Sequence, residues 1–321
     1  MSGTVAPRID VVVPVYGGWT FVERCVASLQ AQTVPVNVIV VDDRSPDDTL
    51  DRLRTTFPDV TLIANTVNRG FSASCNTGVR AGTAEIVVLL NSDVETVPTF
   101  AANLLAAFDE AGSQVGTVAP ALLSPDGTVD SFGITIDVTG AGYVRYHGAD
   151  VHTINATTPA VLGPYGALAA YRREALNDAG LLDENIFMYG EELELAVRLR
   201  ACGWEAAAVP FIGGTHIGGA SAGKASPRQL YLAGFGRGYF LRVYRILSQR
   251  HGPRAALSEF LVTIVWTFDR RDLVAWRGRR DGWRAGKPVA RRALPPEAAD
   301  RTIGFLRGMQ MRRAGYWSRL K

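Results

Sequence analysis

The stretch IVVLLNSDVE, Ile86 to Glu95, decides the fold. Its first five residues, Ile86 to Leu90, are apolar and too few for a helix of their own, so they read as a strand buried on both faces of a sheet. Polarity changes abruptly at Asn91, Ser92 and Asp93. Polar groups where a parallel strand leaves an open α/β sheet stand at the edge where such sheets hold ligands, which puts Asp93 in a crevice. A single carboxylate there suits a hard divalent cation that brings phosphate oxygens of its own. The same residues would also cap a following helix, and the stretch alone leaves both readings open.

The flanking sequence repeats one unit. Ile9 to Val13 is a β-branched strand that Pro14 is expected to end, followed by a turn at Tyr16, Gly17 and Gly18. A helix follows over Trp19 to Gln32, with Phe21, Val22, Cys25, Val26 and Leu29 at helical spacing. Val36 to Val41 is a second strand, ending in the acidic run DDRSPDD, and Val60 to Ile63 a third. Four strands alternating with helices give a mostly parallel sheet with right-handed crossovers. The first strand-to-helix turn carries neither GxGxxG nor a Walker lysine, so another group must neutralise any bound phosphates.

Further on, strands are expected at Val115 to Ala119, Ile134 to Val138 and Ala167 to Tyr171, and a short helix at Arg173 to Ala179. Gly140 to Pro164 reads as irregular, either a lid or a surface connection. In FMYGEELELAVRLRACGW a helix runs from about Glu191 to Gly203, with Glu191, Glu192 and Glu194 in its first turn, where the macrodipole alone favours carboxylates. Successive helical residues point about 100° apart, so Glu191 and Glu192 are not expected to face one site. Whichever faces the crevice is a candidate general base. His216 lies in the glycine-rich segment FIGGTHIGG, which reads as a flexible loop suited to a ligand or phosphate.

The chain has 321 residues, 47% of them hydrophobic and 20% charged, the balance of a folded globular protein. Its three cysteines form no CxxC or Cys/His cluster, which excludes a zinc site and points to reduced thiols in the cytoplasm. The N-terminal residues carry no secretory signal core. The net charge of +3 conceals a division: residues 237–321 hold 20 Lys and Arg against 6 Asp and Glu. A basic region of that kind meets nucleic acid or an anionic membrane, or is simply a solvated helical surface.

Taken in order, these motifs resemble the inverting glycosyltransferases of family 2, which have the GT-A fold, over roughly residues 9–245. VVVPVYGG is similar to the family's opening strand and turn, VVDDRSPDDT to VVDNGSxDGT and NRGFSASCNTGV to NxGFaxAxNxG. LLNSDVE resembles its LLNpD form of the DxD motif, FMYGEELELAVRLRACGW its FfYxEDxDLxxRlrxxGw, and HIGGAS its HxxGxS. GRGYFLRVYR resembles the end of the rhamnosyltransferase-like branch. The resemblance implies an α/β GT-A fold, a Rossmann-like mostly parallel sheet flanked by helices. Residues 1–236 would form the catalytic domain, with a nucleotide-sugar half to about residue 98 and an acceptor half beyond it, and residues 237–321 a basic helical extension.

Carried over residue by residue, it implies that Pro14 and Tyr16 line the base pocket and that Asp42 hydrogen-bonds the nucleobase. Asn68, Gly70 and Asn76 would lie along the nucleoside, and Asn91 against ribose or sugar. Asp93 would hold Mg2+ or Mn2+ with His216 nearby, and Glu192 would be the catalytic base, with Glu191 as the alternative. Two positions depart from the pattern: Asn91 replaces the first Asp of DxD, and Glu192 replaces Asp, moving its carboxylate about 1 Å outward.

The implied partners are a nucleoside-diphosphate sugar, dTDP-rhamnose or a UDP-sugar, and an acceptor hydroxyl on a glycan, a lipid-linked saccharide or a small molecule. A catalytically silent nucleotide-sugar binding protein is the alternative. The apolar run Phe260 to Phe268 is shorter than the ~20 residues of a spanning helix. With Arg270, Arg271, Arg277, Arg279, Arg280 and Arg284 and with Trp266, Trp276 and Trp283, it would lie on the inner membrane face, pack onto the catalytic domain or form a homodimer contact. The arginines lack any nucleic-acid-binding frame, so no nucleic acid partner is expected.

Overall fold

The computed structural model describes residues 6–218, 226–270, 273–313 and 315–319, the side chains of 266 and 268–270 excepted. In chain order the first half runs β1 (Ile9–Val15), α1 (Trp19–Gln30), β2 (Asn37–Asp42), α2 (Thr49–Thr56), β3 (Thr61–Ala64), α3 (Phe71–Ala81), β4 (Ile86–Leu90), β5 (Val94–Thr96) and α4 (Phe100–Glu110). The second continues with β6 (Val115–Leu123), β7 (Val129–Ser131), β8 (Ile134–Ile136), β9 (Gly142–Val144), β10 (Leu168–Arg172), α5 (Arg173–Ala179), α6 (Glu191–Ala201) and β11 (Glu205–His216). Four helices close the chain: α7 (Pro227–Val243), α8 (Gly252–Arg270), α9 (Val274–Ala285) and α10 (Phe305–Met311).

The main sheet has the order β3-β2-β1-β4-β10-β6-β11-β5, with β7 paired to β6, while β8 and β9 form a separate ribbon. β1, β2, β3 and β4 are mutually parallel, as is the β6–β11 pair, whereas β10 runs antiparallel between β4 and β6. β4 is buried throughout, and its alternation explains why. Ile86, Val88 and Leu90 enter the core under α1 and α4, while Val87 and Leu89 enter the core under α3, α5 and α6.

Pro14 does not end β1. The Val15 carbonyl accepts from Asp43 on the β2 side, so Pro14 presents its nitrogen to the opposite side. There the β1–β4 ladder has already stopped at Val12 and Leu89, and no hydrogen bond is lost. Beyond that point the sheet opens.

Gly140 to Pro164 is more ordered than its composition indicates. It contains β9, and Arg145, fully buried, donates to the carbonyls of Phe132, Asn155 and Ala156. The expected domain boundary between residues 236 and 237 falls inside α7, which is continuous from Pro227 to Val243. Its Gly234 and Gly238, with Gly278 and Gly282 of α9, lie where a Cβ would strike the backbone of the facing helix. These glycines let two helices pack backbone to backbone.

Candidate active site

A cleft of about 730 Å³ occupies the place where β1 and β4 part. Pro14 and Tyr16 line it from the end of β1, Asn68 and Gly70 from the approach to α3, and Asn91 and Asp93 from the end of β4. Gly70 has φ of +86°, and a Cβ on it would lie 2.5 Å from the Phe187 ring, so glycine is required at this wall. The Asn68 Oδ1 is buried without a hydrogen-bond partner, a polar atom left for whatever occupies the cleft.

Two residues expected along the nucleotide are not among the lining residues. Asp42 is buried and takes hydrogen bonds from the Ser45 hydroxyl and, at 3.1 Å, from the Ser45 N–H. Ser45 in turn accepts from the Gly17 N–H at 2.7 Å, so Asp42 braces the first turn of the fold. Its neighbour Asp43 borders the cleft, accepting from the N–H groups of Arg69 and Gly70 at 2.8 Å each. The Asn76 amide is spent on Leu182 and Glu184, pinning the loop ahead of α6.

His216 is the last residue of β11, not part of a flexible loop. Gly214 is in that strand because a Cβ there would collide with the Glu95 carbonyl of β5. Gly219 to Ser221, the rest of the HIGGAS motif, lie outside the described residues. His216 Nε2 is 3.3 Å from Asp93 Oδ1, and its Nδ1 is 2.9 Å from Asp130 Oδ2 on β7. Burial draws its pKa down, but the hydrogen bonds to Asp130 and Asp93 outweigh this and push it up to about 9.

Asp130 carries no signal in the sequence; three residues of edge strand bring it here by pairing with β6, and no local motif marks it. By holding Nδ1 it turns Nε2 toward Asp93, the carboxylate–histidine arrangement common behind metal ligands. No group of three or more His, Cys, Asp or Glu among the described residues would hold a metal unaided. Asp93 fits a cation that completes its shell with ligand oxygens, and His216 would join it only by giving up the Nε2 proton it shares with Asp93.

The opposite wall is the start of α6. Contrary to the helical-wheel expectation, both Glu191 and Glu192 line the cleft. The cavity is wide enough at the first turn for side chains about 100° apart to form adjacent walls. Burial raises both carboxyl pKa values, Glu191 well above the usual range, with the Glu192 charge adding to it. Glu191 keeps a buried Oε2 without a partner, whereas Glu192 Oε2 accepts from the Gly190 N–H at 3.2 Å, which favours its ionised form. Of the pair, Glu191 is pushed further from ionisation than Glu192.

The turn before them is tight: Tyr189 has φ of 72° and Gly190 of 99°. Behind them Glu194, with no exposed side-chain surface, binds Arg198 and Arg292 and accepts from Tyr244. Glu192 also borders a second cavity of about 320 Å³ between the β8–β9 ribbon and the helices α7 and α9.

The family model for glycosyl transferase family 2 matches residues 10–180, more than half of the chain. The protein belongs to that family. It is a glycosyltransferase of the inverting class. It is 27% identical over 268 residues to the N-acetylglucosaminyl-diphospho-decaprenol L-rhamnosyltransferase of Mycobacterium tuberculosis, covering 76% of this chain and 85% of that one. It is 28% identical over 208 residues to the O-antigen biosynthesis protein RfbC of Myxococcus xanthus, covering 61% of this chain and 16% of that one.

Among solved structures, the Pyrobaculum calidifontis mannosyltransferase in complex with GDP-Man and Mn2+ is similar at a TM-score of 0.52 and 20% identity, over 88% of this chain and 86% of that one. GalNAc-T7 with UDP, GalNAc and Mn2+ gives 0.55 and 17%, over 75% and 52%. These likenesses show the GT-A fold of this glycosyltransferase.

Proposed function

We propose that the enzyme moves a sugar from a nucleoside diphosphate, dTDP-rhamnose or a UDP-sugar, to a hydroxyl of a lipid-linked saccharide or related glycan, with a divalent cation in the donor cleft. The observation that carries this reading is the position of Glu192, which borders both the cleft holding Asp93 and His216 and the second cavity. A base between two cavities can serve a donor in one and an acceptor in the other.

Pro14, Tyr16 and Asn68 would hold the nucleoside, and Asp93 and His216 the cation. When bound, that cation stabilises charge developing on the departing diphosphate. Arg228, in the first turn of α7, lines the same cleft and would face that charge from the other side. As the acceptor oxygen bonds to the anomeric carbon, its proton passes to Glu192 and the bond to the diphosphate breaks, its electron pair leaving with the nucleotide. Burial and the neighbouring Glu192 charge disfavour a second negative charge on Glu191. One displacement inverts the centre.

A peripheral membrane position in the cytoplasm is part of this reading. No helix among the described residues is long and apolar enough to span a bilayer. Leu257, Phe260 and Val265 on α8 and Trp276 on α9 are each about half exposed or more, beside Arg277 and Arg280. Apolar side chains with neighbouring arginines suit an anionic lipid surface, and a homodimer contact would cover the same residues.

The test is donor turnover across UDP-, dTDP- and GDP-sugars with Mn2+. Glu192→Gln should keep donor affinity and lose about 10² to 10⁴ in turnover, while Glu191→Gln loses far less. Near-normal turnover in Glu192→Gln would remove it as the base. Tight donor binding without wild-type turnover on any acceptor would favour a silent nucleotide-sugar binding protein, the reading to which the Glu-for-Asp change at position 192 lends weight.

A further inference from the structure

The second cavity carries charge that the donor reaction does not use. Its far wall is made by Arg237 of α7, Arg279 of α9 and Arg312 after α10. Glu259 of α8 pairs with two of them: Arg237 Nε reaches it at 2.8 Å and Arg279 Nε at 3.0 Å. Arg237 is otherwise consumed by the carbonyls of Thr139 and Gly140. Arg312 lies 5.5 Å over the Tyr143 ring and forms no ion pair among the described residues. Three guanidinium groups set against Glu259 and against Glu192, which borders the same cavity, still leave one surplus positive charge on a concave wall. Planar guanidinium groups in such surplus are the usual means of gripping a phosphate.

We propose that this cavity is the acceptor site, and that Arg279 and Arg312 bind a phosphate or diphosphate group carried by the acceptor while its reacting hydroxyl meets Glu192. The inference rests on Glu192 as the base for its place in the reaction, but the anion site can be measured without turnover. The exposed apolar face of α8, the helix that supplies Glu259, makes a lipid-borne phosphate one source and a soluble sugar phosphate the other.

The experiment is calorimetric titration of the full-length protein, in EDTA at low ionic strength, with inorganic pyrophosphate and with farnesyl diphosphate. EDTA removes the cation on which the donor cleft would depend, and Asp93→Asn should bind both probes as the wild type does. Arg312→Gln and Arg279→Gln should each weaken binding about tenfold or more, and Arg312→Lys should recover part of it. Because Arg312 is exposed, its variants test the site even if Arg279→Gln fails to fold.

Tighter binding of farnesyl diphosphate than of pyrophosphate identifies a lipid-linked acceptor, and equal binding a soluble phosphate. No binding of either probe, or binding unchanged in Arg312→Gln, overturns the proposal. Binding that needs Arg312 while Glu192→Gln keeps full turnover would uphold the anion site and sink the base assignment instead.

Discussion

Gly236→Ala tests how the proposed base, Glu192, is positioned. A Cβ at Gly236 would fall more than 1 Å inside the 3.4 Å at which ordinary contact with the Tyr189 carbonyl begins. α7 cannot retreat freely, because on its α9 side a Cβ added at Gly234 would lie only 2.5 Å from the Ala275 carbonyl. The turn at Tyr189 and Gly190, both at positive φ, is the softer partner and should yield. Glu191 and Glu192 follow it directly, so their carboxylates should shift by about 1 Å, enough to cost roughly 10² in turnover.

Overpacking should destabilise by about 1 to 3 kcal/mol, partly offset by the ~1 kcal/mol that alanine gains over glycine inside a helix. The assay is steady-state kinetics with thermal unfolding alongside: kcat should fall about a hundredfold with donor KM nearly unchanged. Gly304→Ala, where nothing lies within 4 Å of the added carbon, is the control and should leave both unaltered. A Gly236→Ala enzyme with wild-type kcat and melting temperature would refute the idea that α7 sets the base.

Two further outcomes are expected. Asp130→Asn should free the His216 ring and weaken Mn2+-dependent nucleotide binding by about 10- to 100-fold, read from Mn2+ titrations at fixed UDP; an unchanged titration would show that the orientation of His216 does not matter. Glu259 is held at about 2 in the fold: burial opposes ionisation, but Arg237, Arg279 and Arg312 outweigh it. Its folded pKa is depressed, so its contribution of about 3 kcal/mol is present above the unfolded value near 4.3 and is lost as pH falls toward 2. Denaturant melts across that range should show the slope in the wild type and a flatter profile in Glu259→Gln; equal slopes would dismiss the pairing.

What could be read in the sequence was what depends on near neighbours. β4 and its polar end were visible because five apolar residues followed by Asn91 and Asp93 need no distant partner to be interpreted. The start of α6 was visible for the same reason. Asp42 and Asp43 were not separable, because which of two adjacent carboxylates meets the cleft depends on where β2 ends and what Ser45 and Gly70 do. Asp130 was invisible, since it reaches His216 only through the pairing of β7 with β6.

The glycines around His216 misled. In β11, as in α7, glycines mark places where another backbone lies too close for a side chain, and a sequence offers no sign of the neighbour. Neither the arginine wall of the second cavity nor the Glu259 carboxylate could be foreseen, because they converge from three separate helices and the segment after α10.

Glu194 ties the timing of assembly to the end of the chain. Its buried charge is shared between Arg198, one turn away, and Arg292, nearly a hundred residues later, with the Tyr244 hydroxyl between them. A nascent chain that has completed β11 holds every residue assigned to the donor cleft except those of α7, yet the helix bearing Glu191 and Glu192 still lacks half of its counter-charge. The proposed base gains the last of the counter-charge behind its helix only once residue 292 has emerged.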